Sequence, residues 1–352
     1  MPDPTHRTPL PRYALALAIG AAAGALCAWL HTPIPWIVGP LFAVAAARIG
    51  GLPAEAPPGA RETGQWIIGT AIGLYFTPAV LAEVRDAWWL LAAGAAFALG
   101  VGYLSGAALA RLANLDLTTG IFASVPGGAP EMARLAELYG GRADRVAAAQ
   151  SLRILLVVGS VPALFTLSGA HGSDAYTMAA TAFDAGGFAA LMAATLAGGF
   201  AAGRLRVPNA FVLGALAVAI VLTGLEVNLS AMPSLASNAG QLLLGCALGS
   251  RFDADFVRGA PRFVAAVLAA VLLSIVLSAL FALGLTAVSG RPPATMLLGM
   301  APGGVAEMAI TAKVLQLGVP LVTAFHVTRL VVLLVLTGPL FVLARRWWRR
   351  TR

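Results

Sequence analysis

The chain has 352 residues, of which 59% are hydrophobic and only 11% charged, and its mean hydropathy is +0.85. So few charges cannot cover a water-soluble domain of this size, which excludes an ordinary soluble enzyme or binding module. The formal charge of +8 lies as single residues between apolar runs and in the tail ARRWWRRTR, a membrane-anchor pattern and not a nucleic-acid-binding face.

In chain order, residues 1–12 read as a cytoplasmic N-terminal tail. The apolar run that follows reads as a first transmembrane helix, since Leu26 stands before Cys27 where a lipoprotein signal wants a small residue. A first membrane repeat over 13–168 holds six apolar segments, at about 13–30, 34–50, 64–80, 88–110, 117–139 and 146–168. A periplasmic linker over 169–185 leads to a second repeat over 186–343, with segments at about 186–203, 208–224, 238–252, 263–288, 295–317 and 319–343. The longer segments span a hydrocarbon core of ~30 Å as helices. A basic cytoplasmic tail closes the chain at 344–352.

The fifth segment of each half is broken, by SVPGGAPEMA at 124–133 and by MAPGGVAEMA at 300–309. Sliding the chain on itself by 176 residues aligns the two breaks without a gap, along with GQWIIGTAIGLYF (64–76) on GQLLLGCALGSRF (240–252) and Arg153 on Arg329. A shared bias toward Gly and Ala does not hold one register over such a length while matching Gln, Pro, Glu and Arg. The chain is therefore an internal duplication.

Each broken segment either crosses the membrane or enters and returns as a re-entrant hairpin. If both are re-entrant, each half crosses five times and the second half is inverted; eighteen of the 23 Lys and Arg then fall on the cytoplasmic side. If both cross, the split falls to eleven against eight. The positive-inside rule favours the inverted arrangement, with both termini cytoplasmic. The expected fold is an all-α polytopic membrane protein of two inverted repeats, with about ten transmembrane helices and two re-entrant or broken helices.

Irregular backbone at membrane depth survives only where protein or water satisfies it, and paired interrupted helices mark a midplane transport site. Pro126, Gly127, Gly128, Pro302, Gly303 and Gly304 form the breaks, the glycines by adopting angles closed to other residues or by admitting close neighbours. Glu131 and Glu307 fall in the first turn of the restarting helices, as caps, ligands or competitors of an anion. Arg153 and Arg329 either neutralise those glutamates, bind an anionic substrate, or snorkel to a surface. Gln150 and His326 lie three residues earlier on the same helical faces, and His326 is also a candidate proton carrier. Gln65 and Gln241, in glycine-rich helices, supply either polar ligands or interhelical hydrogen bonds. Two cysteines and four histidines are dispersed, so neither a metal site, a cofactor nor catalytic residues are expected.

Two copies of PGG-x-x-EM, each preceded by GQ…G-x-A-x-G and followed by an intramembrane arginine, resemble the AbrB family of bacterial membrane proteins over most of the chain. Members are labelled as transporters, as regulators of gene expression, or as ammonia monooxygenases. The resemblance implies an inner-membrane protein with an internal duplication and a transporter role, and brings neither a substrate nor catalytic residues. The motif copies differ at Pro130 against Ala306 and at Gln150 against His326. The expected function is a secondary permease for a small, anionic metabolite, with H+ or Na+ coupling and partners limited to the bilayer, the substrate and a further copy of the chain. The alternative is a membrane sensor acting on gene expression through a partner or a metabolite level.

Overall fold

Apolar runs punctuated by Gly, Pro, Asn and Asp fold as helices throughout the described residues. A computed structural model describes residues 10–170, 172, 182–252 and 261–350, with side chains as far as 343. His6, Arg7, His171, Arg258 and the basic side chains of the tail lie outside that description. The described residues form fifteen helices and no strand.

The first half runs α1 (Leu10–Trp29), α2 (Pro35–Ile49), α3 (Ala60–Gly73), α4 (Pro78–Asp86), α5 (Trp88–Ala113), α6 (Leu117–Ser124), α7 (Ala129–Leu138) and α8 (Ala143–Leu167). The second runs α9 (Ala185–Arg204), α10 (Ala210–Gly224), α11 (Ser234–Gly249), α12 (Pro261–Ser289), α13 (Pro293–Met300), α14 (Val305–Leu315) and α15 (Val319–Arg350). Shifted by 176, the starts of α6, α7 and α8 fall on those of α13, α14 and α15, and the other pairs agree within three residues. Among the described residues, six helices are long and apolar enough to cross a membrane, or seven if α3 and α4 count as one bent span.

Two expected segments end differently. The one at 64–80 stops at Gly73, and α4 leaves at 94° to α3. Thr77 precedes Pro78, which disfavours helical backbone there, and the Thr77 hydroxyl then caps the new helix by accepting from the Val80 N–H. The last helix does not end at 343 but continues to Arg350, because no Gly or Pro interrupts the Arg- and Trp-rich tail.

Packing is reciprocal between the halves. α3 lies on α10 while α11 lies on α2; α5 meets α15 while α12 meets α8; and α3 meets α11, its own counterpart. Such self-complementary contact is the signature of a two-fold relation. The largest apolar cluster joins both halves, through Ile68, Ile72, Phe122, Met132, Met308 and Phe341. Large apolar residues such as Trp29, Leu104, Phe200, Leu272 and Val335 remain on the outer surface, where lipid covers them.

At the α3–α11 crossing two glycines meet. A Cβ on Gly64 would lie 2.6 Å from the Gly240 carbonyl oxygen and 3.0 Å from the Leu244 nitrogen, so backbone would have to move. A Cβ on Gly240 would meet Ile67 Cβ and Cγ2 at 2.9 Å; Cγ2 can swing away, but Cβ moves only with its backbone. Overpacking costs about 1–3 kcal/mol. Both substitutions are expected in the upper part of that range, with Gly64→Ala the costlier because its contacts are closer and lie on backbone, measured by thermal unfolding in detergent.

Candidate functional site

The two Pro-Gly-Gly breaks are the tips of hairpins. Asp116 caps α6 by accepting from the backbone N–H and hydroxyl of Thr119, at 2.7 and 2.5 Å. The Thr119 hydroxyl in turn accepts from the Arg142 N–H at 2.8 Å, after α7 has ended. Phe122 of α6 stacks on Tyr139, just past α7, with ring centroids 5.8 Å apart. The chain therefore leaves α7 beside the place where it entered α6. In the second half Gly318 sits against Thr295 in the same way, so α14 returns to the start of α13.

None of the four tip glycines adopts a positive φ, so the expectation of special backbone angles there does not hold. Their role is space. A Cβ on Gly127 would lie 2.7 Å from Met132 Cε, and one on Gly303 would lie 2.6 Å from Met308 Cγ. Both methionines are fully buried and fill the inside of each turn. A Cβ on Gly128 or Gly304 would strike the carboxylate of Glu131 or Glu307, because each carboxylate folds back over the start of its own helix. That is the position of an N-terminal capping acid.

Arg153 and Arg329 hold the tips from the following helices. The Arg153 guanidinium donates to the Val125 and Gly127 carbonyls at 3.2 and 3.5 Å. Arg329 donates to the equivalent Ala301 and Gly303 carbonyls at 2.6 and 2.5 Å, a much tighter grip. Neither snorkels, being 6% and 5% exposed, and neither lies within ion-pair distance of a carboxylate among the described residues. No ion pair with Glu131 or Glu307 forms among the described residues. The two arginines satisfy carbonyls that the helix ends α6 and α13 leave without partners.

Gln150 donates to Phe122 and Val125 carbonyls, both at 2.9 Å, as a second cap on α6. His326 occupies the equivalent place: its Nε2 faces the Leu298 carbonyl at 3.1 Å and its Nδ1 faces an Arg329 nitrogen at 2.7 Å. A carbonyl only accepts and a guanidinium only donates, so the ring is neutral with the proton on Nε2. Both nitrogens are committed to holding the tip. His326→Gln places an N–H toward the Leu298 carbonyl, as Gln150 places one toward Phe122, and an oxygen within reach of Arg329, and is expected to keep uptake within about two-fold with an unchanged pH profile. Loss of uptake in this variant would return His326 to the role of proton carrier.

Between the tips lies a cavity of about 70 Å³. One water occupies ~10–15 Å³ on this scale, so it admits a few waters or an anion of several heavy atoms. Its wall includes Gln65, Gly127, Gly128, Arg153, Gly303, Gly304, Glu307, His326 and Arg329, as well as Pro126. Glu131, Gln150, Gln241 and Pro302 are not in that wall; Gln241 bonds Ser237 at 3.5 Å and Pro302 lines a smaller void nearby. Two residues the sequence reading did not single out are present, Arg61 and Asn209. Asn209 adopts the left-handed conformation at the start of α10, which Asn tolerates, and its side-chain oxygen accepts from Arg61 at 3.0 Å and Gln65 at 3.3 Å. The spacing of Arg61 four residues before Gln65, on one helical face, was the available signal. Among the described residues, no three His, Cys, Asp or Glu side chains gather as a metal site.

Long apolar helices, paired hairpins and a buried cationic cavity between them define a membrane-embedded helical protein. The chain belongs to the AbrB family, whose model, described as "Transition state regulatory protein AbrB", matches residues 36–345. It is 28% identical to "Uncharacterized protein YhjN" of Bacillus subtilis (strain 168), over 92% of this chain and 91% of that one. It is 26% identical to "Putative regulator AbrB" of Escherichia coli (strain K12), over 92% of each. No solved structure matches the chain.

Proposed function

We propose that the protein is a secondary permease for a small anion, bound in the cavity between the hairpin tips and passed by alternating access, with H+ or Na+ coupling. The observation that carries this reading is the charge of the cavity: Arg61, Arg153 and Arg329 against Glu307 alone. Buried cations without paired carboxylates are costly, and an anionic substrate supplies the missing charge. The assignment is to transport and not to catalysis.

Hairpins that return to their starting side leave five crossings per half, made by α1, α2, α3, α5 and α8 and their counterparts. An odd number turns the second half upside-down, giving inverted repeats in the inner membrane with both termini cytoplasmic. The asymmetry of the cavity supports that arrangement: it reaches Gln65 on α3 but not the equivalent Gln241 on α11. In inverted repeats such a difference is what separates an inward-facing from an outward-facing state. Glu137 and Gln316, exposed near the ends of the two hairpins, test the topology. In a background without Cys27 and Cys246, Glu137→Cys and Gln316→Cys are expected to react with an impermeant maleimide from opposite sides; labelling from one side would overturn the inversion.

The function itself is tested by comparing metabolites in cells with and without the protein, then measuring uptake of the altered anions into proteoliposomes. Saturable uptake that depends on the protein is expected; no uptake of any altered anion would sink the permease reading. A second reading comes from the relative named as a regulator. On that reading the protein acts on gene expression through a partner, and a stoichiometric signalling protein would co-purify from native membranes.

A further inference from the structure

Beside the first hairpin, between α7 and α8, lies an open groove of about 430 Å³ that reaches Arg251, just past the end of α11. Ala133 of α7 and Asp144, Ala147 and Ala148 of α8 line it. Asp144 is exposed and ion-paired with Arg142 and Arg145, so the mouth of the groove meets water and not lipid tails. At the inner end, Ala129 belongs to the wall of the groove and to the wall of the tip cavity at once. Arg251 stands near enough to Arg61 and Glu307 of that cavity for its charge to act on both.

The duplication supplies a second groove for comparison. Shifted by 176, Ala133, Asp144, Ala147, Ala148 and Arg251 become Ala309, Pro320, Thr323, Ala324 and Tyr75. All of the second set are buried, and none of the first set is. The helix-borne side chains are about equally small in both halves, so the difference lies in how each hairpin sits against its neighbour. The second hairpin packs its α14 onto α3, whereas α7 makes no comparable contact with α11 among the described residues. At that closed side the Lys313 ammonium lies over the Tyr75 ring, 5.9 Å from its centroid, a cation–π contact.

We propose that the groove beside α7 is the cytoplasmic entrance to the tip cavity, and that its packed duplicate is the outer entrance, held shut by Tyr75 and Lys313. Turning outward exchanges the two arrangements: the first hairpin closes toward Arg251 while Lys313 parts from Tyr75. The passage admits a small hydrated anion, which Arg251 draws toward Arg61. This inference rests on the permease reading, but its test needs neither a substrate nor an uptake assay.

In a background without Cys27 and Cys246, Ala147→Cys and Thr323→Cys report the two entrances to a small anionic methanethiosulfonate in sealed vesicles of either orientation. Ala147→Cys is expected to react from the cytoplasmic side at least about ten-fold faster than Thr323→Cys reacts from either side. Lys313→Met keeps the apolar stem and removes the charge, and is expected to speed the outer reaction of Thr323→Cys by about ten-fold. Tyr75→Leu removes the ring instead and is expected to act in the same direction. In a Lys313→Met protein carrying both cysteines, prior reaction at residue 147 wedges the first groove open and is expected to return Thr323→Cys to its slow rate. Equal reactivity of the two cysteines without the latch substitutions, or an Ala147→Cys that the charged reagent cannot reach, would overturn the entrances. A Thr323→Cys that stays fast after the wedge would show local loosening and overturn the exchange. The expected reactivities in a protein that moves no anion would instead keep the entrances and remove the permease reading.

Discussion

Arg329→Ala is expected to yield little folded protein, and Arg329→Lys to fold and insert but lose at least ten-fold in uptake. The difference follows from geometry. The guanidinium bridges two carbonyls two residues apart, Ala301 and Gly303, while also donating to His326 Nδ1. Alanine leaves those three acceptors buried, at about 1–3 kcal/mol each. The sum approaches the whole stability of a typical protein, ~5–15 kcal/mol. Lysine restores the charge but not the planar fork, so it reaches one carbonyl and leaves the tip loosely held. Arg153, whose bonds to the first tip are 3.2 and 3.5 Å long, has less to lose, and Arg153→Ala is expected to cost less than half as much. Thermal unfolding and proteoliposome uptake separate the two effects. Wild-type uptake by folded Arg329→Lys would remove the guanidinium from the mechanism.

The duplication and the importance of the Pro-Gly-Gly segments were legible because they rest on identical residues at a fixed offset. The two arginines were legible as an intramembrane pair because they stand in equivalent apolar runs, but the sequence left open whether they snorkel to a surface. Their partners were not, since a side chain that caps a helix end twenty-six or twenty-eight residues away leaves no local pattern. Gln150 and His326 look like a broken correspondence in sequence, yet both face equivalent carbonyls, at Phe122 and Leu298. Here the chemistry of donating to a carbonyl is preserved while the residue type is not. Arg61 was counted as a topological charge because charge counting assigns each basic residue a side of the membrane and nothing more. Only the approach of α10 to α3, which brings Asn209 to Arg61 and Gln65, makes it part of the cavity. The bend after Gly73 was missed because periodicity and hydropathy continue across it; the Thr-Pro pair at 77–78 is a two-residue signal inside a long apolar run.

Gly304→Ala is expected to reduce uptake markedly, though the glycine carries no functional group, while Glu307→Gln, which leaves no charge to compete, is expected to cost less. A Cβ at residue 304 would occupy the place of the Glu307 carboxylate, which must then leave the helix start. The surrounding wall is the cavity, where Arg153 and Arg329 draw the displaced carboxylate in as a competitor of the anionic substrate. Glu131 repeats the arrangement over Gly128 but does not line the cavity, so Gly128→Ala and Glu131→Gln are expected to have much smaller effects in the same state. A double-mutant cycle discriminates this from simple damage to the fold. If the methyl acts through the carboxylate, Gly304→Ala adds little once Glu307 is already Ala, with a coupling of about 1–3 kcal/mol in stability or an equivalent ratio in uptake. Additive losses would mean instead that the glycine matters for the backbone alone, and that Glu307 is a cap without a part in binding.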